Sequence, residues 1–258
     1  MKKLLTLALA CALVPSALAA SPWDGTYKLD RSKSHLTGDS FTYSKTANGM
    51  WHVSFGDLGY DFAPDGKPYP VFDADHTTTT TMNGDHTLIM VNAFKGKTTA
   101  TTKETLSADG TTLTDETSGT RADGTTYTSS YTSKRSGPGT GFFGKWVSTK
   151  ESSSAESIIT ISTAADGTVT MTYPGSKDSL VTKLDGTPAS PTGPREVKDV
   201  TVTYKKVSAT RLEYTVNLKG KKVAEGYDTL SADGKIFSET SWAPGKMDEK
   251  TTSVYIKQ

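Results

Sequence analysis

The chain has 258 residues, with 29 Lys and Arg against 28 Asp and Glu, four His and a single Cys. A net charge this close to zero argues against nucleic-acid binding and against a strongly charged membrane surface. One cysteine excludes an intramolecular disulfide framework, so stability must come from burial and hydrogen-bonded backbone.

Lys2 and Lys3 precede an apolar run from Leu4 to Val14, and Ala17-Leu18-Ala19 then supplies small residues. This reads as a secretory signal peptide over residues 1–19, its apolar part too short for a membrane span. Cys11 offers a second reading, as a lipidation cysteine, with a poorer match in the residues before it. Cleavage after Ala19 removes Cys11 and two lysines, leaving 27 basic and 28 acidic residues, a formal charge of −1. No later stretch is apolar enough to cross a bilayer as a helix. The sequence therefore predicts a cysteine-free, periplasmic or secreted protein, and nothing in it sets an oligomeric state.

The rest is rich in Thr, Ser, Tyr and Val and punctuated by Gly, a β-rich composition. An opening at Trp23-Asp24-Gly25-Thr26-Tyr27 returns as Phe142-Phe143-Gly144-Lys145-Trp146, in each case aromatic, any residue, Gly, any residue, aromatic. Ala47-Asn48-Gly49 is matched by Ala165-Asp166-Gly167, and Asp65-Gly66-Lys67-Pro68 by Asp185-Gly186-Thr187-Pro188. Lys95-Gly96-Lys97 is matched by Lys219-Gly220-Lys221, and Tyr131 by Tyr255. Thr105-Leu106-Ser107-Ala108-Asp109-Gly110 recurs letter for letter at Thr229–Gly234, 124 residues on. Asp-Gly between β-rich runs is a hairpin signal, because both residues accept φ > 0. The ordered landmarks predict a duplication into residues 22–135 and 142–258. Ser136–Gly141 between them reads as a flexible linker.

Within each unit the runs alternate with period two. Leu212, Tyr214, Val216 and Leu218 share one parity, matched by Leu88, Met90, Asn92 and Phe94; Val169, Met171 and Tyr173 are matched by Trp51, Val53 and Phe55. Such alternation marks half-buried antiparallel strands. Turn spacing predicts about eight strands per unit, joined by short hairpins, which favours an up-and-down barrel over a Greek-key sandwich. Helix is confined to short turns at Asp30–Ser34 and Lys150–Ser157. The Thr77–Thr81 run reads as a strand whose inward positions are threonine.

Gly25-Thr26-Tyr27 and Gly144-Lys145-Trp146 resemble the Gly-x-Trp opening of the lipocalin (calycin) superfamily. The segments Gly25–Asp30, Ser32–Ser34, Asp65–Val71, the Ser-Ala-Asp-Gly turn and the tail Val254-Tyr255-Ile256-Lys257-Gln258 resemble, in that order, exported bacterial lipocalin-like proteins. The resemblance implies two tandem eight-stranded antiparallel barrels in which the aromatic of the opening closes one end.

Candidate chemistry is sparse. His35, His52, His76 and His86, with Asp73 and Asp75, have the residue types of a zinc site but no ligand spacing along one strand, so no metal and no cofactor is expected. A mature cysteine nucleophile and a Gly-x-Ser-x-Gly elbow are both missing, and the acids cluster in turns. Asp75 and Asp199 align, as a structural pair at a strand start. A non-enzymatic role is expected. The barrel interior is the remaining lead, with Trp51, Phe55, Met90, Asn92 and Phe94 in the first unit and Tyr173, Tyr204 and Tyr214 in the second as candidate ligand-lining residues. Asn92 breaks an apolar row and could orient a polar head. The expected function is an exported binding module for a small, mainly apolar ligand. The alternative is a structural or envelope-interaction protein with side-chain-filled barrels.

Overall fold

The computed structural model describes residues 21–258; the expected signal peptide and Cys11 lie outside them. The first half carries β1 (Gly25–Leu29), β2 (Ser40–Lys45), β3 (Trp51–Phe55), β4 (Leu58–Phe62), β5 (Asp65–Pro70), β6 (His76–Met82), β7 (Thr87–Phe94), β8 (Lys97–Leu106), β9 (Thr112–Thr120) and β10 (Thr126–Thr140). The second half repeats the series. It begins with β11 (Phe143–Ser153), β12 (Ile158–Thr163), β13 (Val169–Tyr173), β14 (Asp178–Thr182) and β15 (Asp185–Ala189). It continues with β16 (Val200–Ser208), β17 (Arg211–Leu218), β18 (Lys221–Leu230), β19 (Ile236–Trp242) and β20 (Thr251–Lys257).

These strands form two antiparallel, nearly closed barrel-like sheets of ten strands each. The first runs β4-β3-β2-β11-β10-β9-β8-β7-β6-β5, the second β14-β13-β12-β1-β20-β19-β18-β17-β16-β15. The edge strands of each sheet, β4 with β5 and β14 with β15, are consecutive in sequence and lie in contact, so each sheet curls back on itself. No ladder joins them. Pro68 and Pro70 on β5 and Pro188 on β15 lack the donor that such a ladder needs, as edge strands commonly do. Turn spacing undercounts the strands because β3, β4 and β5 are separated by only two residues each, Gly56-Asp57 and Ala63-Pro64.

The sheets do not follow the duplication. β1 lies between β12 and β20 of the second barrel, whereas β11, its counterpart, lies between β10 and β2 of the first. The halves have exchanged their opening strands, so the barrels are not residues 22–135 and 142–258 but interleaved sets. Tyr27 and Trp146 occupy equivalent places in opposite barrels. Each is fully buried and bonds back four residues, Tyr27 Oη to the Trp23 carbonyl at 3.0 Å and Trp146 Nε1 to the Phe142 carbonyl at 2.8 Å. The Arg135 guanidinium covers the Trp146 ring at 4.3 Å.

Residues 136–141 are not a flexible linker. β10 runs through them to Thr140 and pairs with β11, Ser136 opposite Lys145 and Gly139 opposite Gly144. Arg135 Nη1 donates to the Phe143 carbonyl at 2.5 Å, and a Cβ on Gly139 would collide with that same carbonyl oxygen. Close backbone approach is what requires glycine there. Lys150–Ser157 is likewise strand through Ser153, while the Asp30–Ser34 turn is a single 3₁₀ turn capped by Asp30 accepting from the Ser32 amide. Register also shifts one landmark: Ser133, opposite Leu113, holds the place of Tyr255, opposite Phe237, and Tyr131 does not.

The six-residue repeat is turn chemistry. Ser107 Oγ donates to Asp109 and accepts from the Thr112 amide at 2.9 Å; Ser231 does the same with Asp233 and the Ile236 amide at 2.9 Å. Gly110 and Gly234 supply φ of 68° and 69°.

Candidate functional site

Each barrel carries a pair of carboxyl groups on its inner face, and they stand in equivalent register. Glu104 on β8 faces Asp115 on β9 directly across the ladder; Asp228 on β18 faces Glu239 on β19 in the same way. Glu104 is 4% and Asp228 1% exposed. No Lys, Arg or His forms an ion pair with any of the four among the described residues. Burial disfavours the charged form of such groups. It pushes Glu104 up to about 8, aided by the charge of Asp115 and opposed by a hydrogen bond from Tyr43, and it pushes Asp115 up to about 7. Asp228 rises well above the usual carboxylate range through burial and the charge of Glu239, against a hydrogen bond from Tyr204. Glu239 rises through burial, against a hydrogen bond from Tyr214. At neutral pH the Glu104–Asp115 pair therefore retains a proton and can both donate and accept hydrogen bonds.

The phenols that serve these acids come from opposite walls in the two barrels. In the second, Tyr204 on β16 and Tyr214 on β17 stand in register with ring centroids 5.4 Å apart, and Tyr214 Oη donates to Glu239 Oε1 at 3.1 Å. The register-equivalent positions in the first barrel are Thr80 and Met90. There the phenols stand on β2 and β4 instead: Tyr43 Oη donates to Glu104 Oε1 at 2.8 Å, and Tyr60 lies beside it, pushed up to about 12 by burial and by Glu104. Ile161 and Leu180 are their equivalents in the second barrel.

The exchange of walls leaves the first barrel short of donors. Glu104 Oε2, Asp115 Oδ1 and the hydroxyls of Thr78 and Thr80 are all buried without a partner; in the second barrel only Asp228 Oδ1 is so placed, among the described residues. Thr78 and Thr80 are both 0% exposed, the inward positions of the threonine run.

A polar cleft of about 740 Å³ opens between the barrels, lined among others by Arg31, Glu151, Arg195, Tyr173 and Tyr255. Tyr173 and Tyr255 form the wall between it and the Asp228–Glu239 pair. The acids raise both phenols, Tyr255 to about 12, after burial as the larger cause.

The eight expected lining residues divide. Tyr173, Tyr204 and Tyr214 gather at the second acid pair. Trp51 is buried against Phe143 at 4.5 Å and Tyr43 at 6.0 Å, and Met90 is buried one diagonal step from Glu104. Phe55 does not line the interior: it is 45% exposed at the end of β3, where the chain turns at Gly56 and the ring leaves the barrel. Asn92 is half-buried at a register break, and its backbone carbonyl accepts from the Thr99 hydroxyl at 3.2 Å. Phe94 packs on the His76 ring at 4.9 Å, near the strand end.

The histidines are dispersed. His52 bonds Asp61 at 2.6 Å, His76 bonds Asp73 at 2.8 Å, and His86 bonds the Leu106 carbonyl at 3.2 Å; no group of three His, Cys, Asp or Glu could hold a metal among the described residues. Asp75 and Asp199 perform one structural task, each carbonyl accepting from the turn lysine of the next hairpin, Lys95 and Lys219.

Sequence reasoning misses the acid pairs because most acids of this chain sit in turns, where backbone hydrogen bonds explain them. Their signal was present: Glu104-x-Leu106 with Leu113-x-Asp115, repeated as Asp228-x-Leu230 with Phe237-x-Glu239, puts an acid on the parity of a core residue on both arms of the repeated turn. Compared with protein-family models, curated proteins and solved structures, the chain matches none.

Proposed function

We propose that this chain is an exported, non-enzymatic binding module that holds a small ligand inside a β-barrel. The observation that carries the reading is the buried carboxyl pair, present in both barrels with no cationic partner among the described residues. Burying a carboxyl without full hydrogen bonding costs on the order of 1–3 kcal/mol per group. A fold that only needed filling would place apolar residues there at no such cost. A ligand with hydrogen-bond donors and an apolar body suits the surroundings, because the acids supply polar anchors and Trp51, Phe62 and Met90 supply apolar wall. Export rests on Lys2, Lys3 and the apolar run that follows them.

A second reading, barrels filled by their own side chains and acting through their outer faces, is favoured by the fully buried Trp146, Tyr27, Phe62, Leu88 and Leu212. Native mass spectrometry of the protein purified from its own host separates the two. A retained small molecule, released on unfolding, is the expected result. A mass equal to the bare chain, together with no change in melting temperature across a small-molecule panel, sinks the binding reading.

A further inference from the structure

We infer that the first barrel takes a ligand with an ammonium head, seated between Glu104, Asp115 and Thr80, with its hydrocarbon part toward Met90 and Trp51. This deepens the binding reading above and rests on it. The argument begins from the comparison of the two barrels. In the second, Tyr214 donates to Glu239 at 3.1 Å with Tyr204 packed beside it, and of that pair's oxygens only Asp228 Oδ1 is buried without a partner among the described residues. In the first, Tyr43 serves Glu104 Oε1 alone, and Glu104 Oε2 and Asp115 Oδ1 are left as buried acceptors.

Thr80 supplies independent support. It occupies the register position of Tyr204, whose phenol reaches Asp228, so position 80 faces the acid pair of its own barrel. Where the second barrel has a phenol, the first has a short side chain whose fully buried hydroxyl finds no partner. Threonine in tyrosine's place keeps a hydroxyl but withdraws it from the reach of a phenol, and it takes a ring from this wall. An ammonium group bridges that reach: its three N–H donors match Glu104 Oε2, Asp115 Oδ1 and Thr80 Oγ1 in number.

The remaining walls agree. The titratable groups facing the pair are Tyr43 and Tyr60, and neither carries a positive charge. Among the described residues no basic side chain is paired with the acids to compete for them. The seam between β4 and β5, which no ladder closes, runs beside Tyr60, half-buried on β4. Neutral below about pH 7, the pair must lose a proton to receive an ammonium ion, so binding at that pH releases one.

The test uses the full mature chain and three probes of one chain length, decylamine, decanol and decanoate, titrated calorimetrically at pH 6.5 in two buffers of different ionisation enthalpy. Decylamine should bind at least tenfold more tightly than decanol, decanoate most weakly, and only decylamine should release a proton, about one per molecule bound. Glu104→Gln and Asp115→Asn should each lose the preference and the proton release while binding decanol as the wild type does. The amide variants keep the shape of the acids, and retained decanol binding reports that they fold. Binding of all three probes without preference for the amine overturns the ammonium assignment and leaves the binding module standing. A preference that survives both variants but is lost in Asp228→Asn moves the amine to the second barrel and overturns the inference as stated. Failure of every probe to bind the wild type tells against the binding reading itself.

Discussion

Glu104 and Asp115 face one another across adjacent strands, and 124 residues later Asp228 and Glu239 repeat the relationship with the two acids exchanged. Each pair therefore contains one Glu and one Asp, so the combined reach of the two side chains is the same in both barrels although neither residue is retained in place. The pairs also share an electrostatic consequence, since none of the four acids is neutralised by a cation and burial raises all of them.

The first prediction concerns pH. Because the folded-state values of Glu104 and Asp115 lie near 8 and 7, above their unfolded values near 4, the folded chain holds more protons across that window. Stability from these groups is fully present below about pH 4 and is lost as pH rises through 7 to 8. Asp109 acts in the opposite sense, lowered to about 2 by hydrogen bonds from Ser107 and Thr111. So does Glu249, where burial is outweighed by Lys145 and Ser40 to give about 2. Their contribution disappears as pH falls from 4 toward 2. Calorimetric melting from pH 3 to 9 should show a maximum near pH 4–5 and a decline of several degrees by pH 8.5. The double variant Glu104→Gln, Asp115→Asn should lessen that decline, the Asp228–Glu239 pair accounting for the rest, and a profile rising from pH 5 to 8.5 contradicts the assignment.

Strand exchange makes a prediction about fragments. Residues 22–135 contain β1 to β9 and β10 as far as Arg135 but lack β11, which leaves β2 and β10 with unpaired edges. Residues 36–153 contain all ten strands of the first barrel. The second fragment should melt cooperatively, and the first should aggregate or give no sharp transition by circular dichroism.

The two opening aromatics, Trp146 and Tyr27, bear on stability. Trp146 is fully buried, donates to the Phe142 carbonyl and lies under Arg135. Trp146→Ala should destabilise by about 3–5 kcal/mol in urea unfolding. Tyr27→Phe removes only the bond to the Trp23 carbonyl and should cost about 1 kcal/mol.

Asn92 tests the limit of reading a face from parity. As a buried amide in an apolar row it would matter to both stability and ligand. Half-buried at a register break, with its carbonyl rather than its side chain engaged, it should tolerate replacement. Asn92→Val should change unfolding free energy by less than about 0.5 kcal/mol.

The sequence by itself determined the all-β class, the duplication, the turns and most of the inward faces, because those depend on neighbours within a few residues. Asp109 and Asp233 bond their own turns, and Thr78 and Thr80 turn inward because a strand alternates. Tertiary structure alone decided which strand joins which barrel. β1 and β11 carry the same Gly-x-aromatic pattern, so local preference does not distinguish the exchanged arrangement from the direct one; only the sheets do, where β11 pairs with β10 over ten positions and β1 with β20 over three. The acid site has the same origin. Each of its members is an ordinary residue on its own strand, and only the register between β8 and β9, together with the walls that β2, β4 and β6 bring across the barrel, makes Glu104 and Asp115 a buried pair short of donors.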